Sequence, residues 1–195
     1  MSEWLAFVHL GFRHIVDPGA MDHILFLLAL AAIYRPGDWR RALWVVSAFT
    51  VGHSITLALA VTGALTLPSP LIEFLIPVTI MLTGIENLIA RDGGRYRALF
   101  AGVFGLVHGA GFANYLKALF VDRIAVPLFG FNVGIELGQI LVLAAAALAL
   151  SALDRAIATI RLPVHAPSPL RLRVIAVSAV VALVAAGWAV ERRPW

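Results

Sequence analysis

The sequence has no cysteine and few charged residues, and these two features limit the kinds of site and the class of protein that it can form. None of the 195 residues is a cysteine, which excludes disulfides, thiolate metal sites and cysteine nucleophiles. Any metal must therefore be bound by histidine, carboxylate, amide or backbone oxygen. Charged residues make up 13% of the chain and hydrophobic residues 61%. A soluble domain has about 25% charged and 45–50% apolar residues.

This composition, with a mean hydropathy of +0.92, indicates an integral membrane protein of one domain. The lipid bilayer is therefore an expected partner, and homo-oligomerisation is left open. The net charge of +4 does not indicate nucleic-acid binding, because the basic residues follow a membrane topology. No cleavable signal peptide is expected, since the first 16 residues contain Glu3, His9, Arg13 and His14.

Hydrophobic periodicity predicts an all-α polytopic membrane protein, a single helical bundle over 1–195. Six transmembrane helices are expected within 20–190, near 20–34, 41–63, 70–91, 96–119, 126–153 and 172–190. Residues 1–17 place Trp4, Val8, Phe12 and Ile15 at helical spacing. This segment is too short and polar to cross a bilayer, which takes about 20 residues. It is predicted to form an amphipathic helix at the interface or folded back on the bundle.

The basic residues predict the orientation of the spans. Ten of the fifteen Lys and Arg residues lie in the loops after spans one, three and five, and none lies in the loop 65–69. Because positive loops stay in the cytoplasm, both termini are predicted on the periplasmic side of a bacterial inner membrane. The ten residues are Arg35, Arg40, Arg41, Arg91, Arg95, Arg97, Arg155, Arg161, Arg171 and Arg173.

Several polar residues lie inside the apolar runs, where they are costly and usually functional. Those expected to bind a metal ion converge from four spans at compatible depth: Asp22, His23, His53, His108, Asn132 and Glu136. Imidazole with carboxylate can bind Ni, Co, Zn, Fe or Cu. A path for the ion is expected along His14, Asp17 and Glu73 on the outer side. It would continue past Glu86 and Asn87 on the inner side.

Span five carries two stripes with different roles. Asn132, Glu136 and Gln139 share one helix face and are predicted to line a polar site. Gly130, Gly134 and Gly138 lie on roughly the opposite face, and small residues at this spacing let a neighbouring helix approach closely. A structural role remains the alternative for each polar residue, since a lone buried histidine is more often a hydrogen-bonded core residue than a ligand.

A faint internal repeat relates the two halves of the chain. FTVGHSITL at 49–57 aligns with FNVGIELGQ at 131–139, sharing Phe, Val and Gly. His23 and His108 then fall at matching places, each one span earlier. Three spans per copy would put the copies in opposite orientations, giving a 3+3 inverted repeat of the kind that transporters use around a central site.

Four segments carry a resemblance to the HupE/UreJ family of small bacterial membrane proteins. They are GFRHIVDPGAMDHILFLL at 11–28, FTVGHSITL at 49–57, FGLVHGAGFA at 104–113 and FNVGIELGQ at 131–139. The resemblance implies an inner-membrane helical protein of nickel or cobalt uptake, often linked to hydrogenase or urease maturation. It also implies metal handling by Asp22, His23 and His108.

The chain resembles a divergent branch of that family. The better-studied branch has five residues between a histidine and the Asp-His pair, whereas seven separate His14 from Asp22 and His23 here. A second signature rich in His-Gly pairs is reduced to His108-Gly109. Nickel specificity therefore does not carry over with the motif.

These patterns predict a secondary permease for a divalent transition-metal ion of the nickel or cobalt type. No ATP-binding motif is present, so ion gradients or the membrane potential would drive transport. One alternative is an intramembrane metal-dependent hydrolase, with Asp22 or Glu136 as general base. Another is a non-transporting metallocentre assembly factor. Polar groups that continue to the cytoplasm would favour the transporter, and a dry floor would favour the enzyme.

Overall fold

A computed structural model describes residues 3–90, 94, 96–119, 124–160, 163 and 165–195. Within these residues the chain forms seven α-helices and no strand, which confirms the all-α prediction. The helices are α1 (Glu3–Val16), α2 (Met21–Ala31), α3 (Trp39–Val61), α4 (Ser69–Ile89), α5 (Arg97–Leu119), α6 (Ala125–Ala158) and α7 (Pro169–Glu191), with a 3-10 turn at Pro36–Asp38 before α3. Of the basic loop residues, Arg91, Arg95 and Arg161 lie outside the described part.

Four helices, α3, α4, α6 and α7, are long and apolar enough to cross a membrane. The pair formed by α1 and α2 makes a fifth span if it is counted as one, and α5 is apolar over Arg97–Ala113. Six separate spans are therefore not confirmed. The first predicted span is too short by itself, because α2 has 11 residues and a length of only about 16 Å.

The break between α1 and α2 has a local cause. The Asp17 carboxylate accepts a hydrogen bond of 2.8 Å from the Gly19 backbone N–H, and Pro18 cannot continue a helix. The two helices are bent by 69° at this break. The α1 helix, predicted to be interfacial, packs along α6 and so takes the folded-back arrangement.

Glycines allow α1 and α6 to touch backbone to backbone, as the small-residue stripe predicted. A Cβ on Gly134 would overlap the Val8 carbonyl oxygen, and one on Gly11 would overlap that of Phe131. Gly130 lies against Trp4, and Gly138 lies against Phe12 and Ile15. Residue numbers rise together along both helices, so α1 and α6 run parallel.

The pair formed by α3 and α5 makes the same contacts. A Cβ on Gly52 would overlap the Gly102 carbonyl oxygen, and one on Gly105 would overlap that of Phe49. The contact of Gly134 with Val8 corresponds to that of Gly52 with Gly102, and the contact of Gly11 with Phe131 corresponds to that of Gly105 with Phe49. In both cases the α1 number plus 94 gives the α5 number, and the α6 number minus 82 gives the α3 number. This correspondence supports an inverted repeat and keeps the predicted alignment of Phe49 with Phe131. It matches His108 with His14, however, and not with His23.

The end of α2 is held by side chains from three other helices, and we call this end of the bundle the floor. Asn87 Nδ2 donates to the Ala29 carbonyl over 2.7 Å, and Arg97 donates to that of Leu30 over 3.4 Å. Arg173 donates to the carbonyls of Ala32 and Tyr34 over 3.0 and 2.8 Å. These donors satisfy carbonyls that a helix C-terminus leaves without partners, and they fix α2 at its short length.

Candidate metal centre

Four histidines from four helices meet in the interior of the bundle. They are His14 of α1, His23 of α2, His53 of α3 and His108 of α5. His23, His53 and His108 are buried, with 7%, 0% and 1% exposure. His14, His23 and His53 each offer a ligand atom, and these atoms lie within 4.8 Å of one another. Ligand atoms around a tetrahedral ion with bonds of about 2.1 Å lie ~3.4 Å apart, so the ligand atoms would move closer together by up to about 1.4 Å on binding.

The rings pack in T-shaped or tilted pairs without bonding one another. Centroids of His14 and His23 are 4.6 Å apart, those of His23 and His108 are 5.4 Å apart, and those of His14 and His53 are 6.1 Å apart. Five buried ring nitrogens lack a hydrogen-bond partner among the described residues: Nε2 of His14 and His23, Nδ1 of His108, and both nitrogens of His53. Such a set fits a metal ion, because a neutral imidazole binds metals through a free nitrogen lone pair.

Thr79 on α4 fixes the tautomer of His108. Its hydroxyl donates to the Ile76 carbonyl over 2.7 Å and lies 2.9 Å from His108 Nε2. Since the hydroxyl proton is committed to Ile76, Nε2 is the donor to Thr79, and Nδ1 keeps its lone pair. Hydrogen bonds of this kind orient metal-binding histidines and select the free nitrogen. Thr79 therefore prepares His108 to join the other three histidines.

A Thr79→Val substitution is expected to weaken metal binding about 10- to 100-fold, the usual cost of losing such an outer partner. Thr79→Ser should restore most of the affinity, because it returns the hydroxyl. Thr83→Val is the matched control, since Thr83 is also buried on α4 and bonds the Thr79 carbonyl over 2.9 Å. Equilibrium dialysis with Co²⁺ measures these affinities, and equal losses in the Thr79 and Thr83 valine variants would contradict the tautomer role.

The histidines open toward a recess at the end opposite the floor, which we call the mouth. A cavity of about 220 Å³ contacts His14, His23, His108, Asp22, Glu73 and Arg192. Asp22 is engaged there, because Arg192 Nη1 lies 3.0 and 3.2 Å from its two carboxylate oxygens. A second cavity, of about 330 Å³, reaches His14 past Arg13 and Asp17. Asp17 and Glu73 thus lie beside the histidines, and Asp22 closes part of the recess.

Glu136 lies in the contact between α3 and α6, beside Gln139 of the same helix. Ser47 donates to the Glu136 carboxylate over 2.6 Å, and Thr50 donates to Gln139 over 2.8 Å. Glu136 is not in the group of possible ligands that contains His14, His23 and His53. The polar stripe of α6 therefore joins two helices, and Asn132 Oδ1 is left buried without a partner among the described residues.

Glu86 and Asn87 belong to the floor and bond to its other residues, although Asn87 Oδ1 has no partner among the described residues. Glu86 pairs with Arg97 at 3.0 Å. Asn87 donates to Ser178 over 3.1 Å as well as to α2, and the Asn87 carbonyl accepts from Arg171 over 3.1 Å. Arg173 also pairs with Asp154. Arg97 and Arg173 are 2% and 1% exposed, so the floor is closed by buried cations.

The sequence placed His14 on the approach to the site, whereas the structure places it within the histidine group. The repeat held the signal for this residue, because Gly11-x-x-His14 and Gly105-x-x-His108 share one spacing. Thr79 was missed, since a single threonine in an apolar span more often bonds its own backbone. The role of Arg97 and Arg173 was also missed, because as loop cations they indicated only topology.

Comparison with protein families identifies one match. The model of the HupE/UreJ protein family aligns with residues 1–192, essentially the whole chain. Comparisons with curated proteins and with solved structures give no match.

Proposed function

Since the chain belongs to the HupE/UreJ family, we propose that it is a secondary permease for a divalent transition-metal ion of the nickel or cobalt type. His14, His23 and His53 would hold the ion, and His108 would supply a fourth nitrogen. Of the two predicted ligands on α6, Glu136 is left out of this set because it accepts a hydrogen bond from Ser47. Asn132, whose Oδ1 is buried without a described partner, stays a predicted oxygen donor. The bilayer is proposed to be a bacterial inner membrane, with both termini on the periplasmic side.

The observation that carries the proposal is the set of five buried ring nitrogens without partners. A buried polar group left unsatisfied costs about 1–3 kcal/mol, and hydrocarbon provides no water to reduce that cost. An ion bound by these nitrogens would offset the cost at all four rings. Imidazole ligands without thiolate also suit an ion that must leave again, because conduction requires binding that is not too tight.

The two cavities at the mouth supply the approach to the histidines. Glu73 and Asp17 place carboxylates beside that approach, and negative charge draws cations from outside. Release to the cytoplasm requires the floor to open, because Arg97 and Arg173 repel a divalent ion. We therefore assign the structure to a state that is open at the mouth and closed at the floor.

Uptake into liposomes tests the permease directly. Purified protein is reconstituted, and accumulation of Ni²⁺, Co²⁺, Zn²⁺, Fe²⁺ and Cu²⁺ is compared with that of empty vesicles. His23→Ala and His108→Ala should abolish uptake to a similar degree, whereas His9→Ala, which removes an exposed histidine of α1, should not. Failure of the wild-type protein to accumulate any of these ions would overturn the proposal.

The closed floor favours a second candidate, a metal-dependent enzyme within the membrane. Such an enzyme needs a closed floor and an opening to substrate, and the buried Arg97 and Arg173 and the cavities at the mouth support this candidate. Asp22 next to His23 would act as the general base at an ion with an open coordination position. Stoichiometric metal that stays bound without flux in the liposome experiment would favour this candidate.

A further inference from the structure

A third cavity lies at the floor, away from the histidines, and the proposed transport has no use for it. Its volume is about 250 Å³, and its walls are mainly Ala and Leu side chains of α3 and α6. Along α6 it extends from Ile140 to Ser151, a distance of about 16 Å at the helical rise per residue. It is thus a long apolar groove that could take an extended acyl chain along α6.

The floor end of this groove is lined by two arginines. Arg35 and Arg173 both contact the cavity. Asp154 pairs with Arg173, but within the described residues no carboxylate pairs with the Arg35 side chain. Asp38 lies at the same end, but its carboxylate accepts from the Arg35 backbone N–H over 3.1 Å, which leaves the exposed Arg35 guanidinium open to an anion. An anion at this end would be complementary to the groove.

Aromatic residues mark the same end as the level of the lipid headgroups. Tyr34 and Trp39 contact the cavity beside Arg35, and such residues gather where the bilayer meets water. Basic pockets between helices at this level bind anionic headgroups.

We propose that this groove is a binding site for an anionic phospholipid. One acyl chain lies between α3 and α6, and the phosphate pairs with Arg35 at the floor. A free phosphate ion would leave the apolar walls of the groove bare, so the diacyl lipid is the occupant that the combination of walls and charge favours. The site is independent of the metal centre, because its lining includes none of the four histidines.

Native mass spectrometry of the detergent-purified protein tests this site. The protein is titrated with phosphatidylglycerol or phosphatidylcholine of equal chain length. Wild-type protein should retain phosphatidylglycerol roughly tenfold more strongly, about the effect of one charge-assisted contact. Arg35→Gln should remove this preference. Arg40→Gln, which removes an equally exposed charge that does not line the cavity, should keep it.

Variants that fill the groove distinguish binding of a lipid from binding of a free anion. Ala147→Phe fills the cavity and should abolish retention of phosphatidylglycerol, whereas Ala149→Phe, on an exposed part of α6 outside the lining, should not. Ala144→Leu, also in the lining, replaces Ala147→Phe if that variant fails to fold. Equal retention by filled and wild-type protein would overturn the proposal. Displacement of the lipid by millimolar inorganic phosphate would also overturn it, in favour of a simple anion site.

Discussion

A His53→Ala variant is expected to bind Ni²⁺, Co²⁺ and Zn²⁺ more than about 100-fold more weakly than the wild-type protein. The loss of an outer partner of a metal ligand already costs 10- to 100-fold, and the loss of the ligand itself should cost more. His53 is the most informative position because both of its ring nitrogens are buried without a described partner. Its side chain therefore has no described hydrogen bond to lose, and its ring packs against His14, His23 and Phe49.

Isothermal titration of the purified protein measures this change, with the melting temperature recorded for each variant. We expect His53→Ala to keep or raise the melting temperature of the metal-free protein, because it removes two unsatisfied nitrogens from the core. His9→Ala is the control for a general effect of losing a histidine. A His53 variant that binds metal normally but unfolds easily would show that the histidines serve only the packing of the bundle.

The second large effect is expected at Gly105, where α5 crosses α3. A Cβ at this position would overlap the Phe49 carbonyl oxygen, with the His53 backbone nitrogen only 2.9 Å away. Gly105→Ala must push the two helices apart, at a cost of about 1–3 kcal/mol. Because His53 and His108 lie on these helices, the same shift should also weaken metal binding. Thermal unfolding in detergent and Co²⁺ titration measure the two effects.

Gly187→Ala on α7 is the matched control, because its Cβ would meet no atom within 4 Å. That substitution should be neutral or slightly stabilising, since alanine favours a helix over glycine. Gly11→Ala provides a further test of the repeat, because its contact with Phe131 repeats that of Gly105 with Phe49. Similar losses at Gly11 and Gly105 are expected. A stable Gly11→Ala variant would contradict the correspondence of the two helix pairs.

Most of the helices could be predicted from sequence, because apolar runs of this length have few alternatives. The last four predicted spans begin within a few residues of α4, α5, α6 and α7. The length of the first span could not be predicted correctly, because contacts with other helices end α2 before its apolar run would. The α2 helix ends where Arg97, Asn87 and Arg173 reach its carbonyls, and these residues lie far along the chain.

The candidate site shows a similar division. His23, His53 and His108 could be grouped from depth alone, and the structure brings them together. Glu136 has a compatible depth, but its helix is rotated so that it meets Ser47. Depth follows from residue number, whereas rotation depends on which faces pack, and here glycine contacts set the rotation of α6 against α1. The same contacts carry His14 into the group.

The most direct test of the account is X-ray absorption spectroscopy of the zinc-loaded protein. We expect at least three imidazole ligands with Zn–N distances of about 2.0–2.1 Å. The ligand count should fall in a His14/His23/His53→Ala variant. A shell of oxygen ligands alone, or a spectrum that these substitutions leave unchanged, would contradict a metal centre built from these histidines.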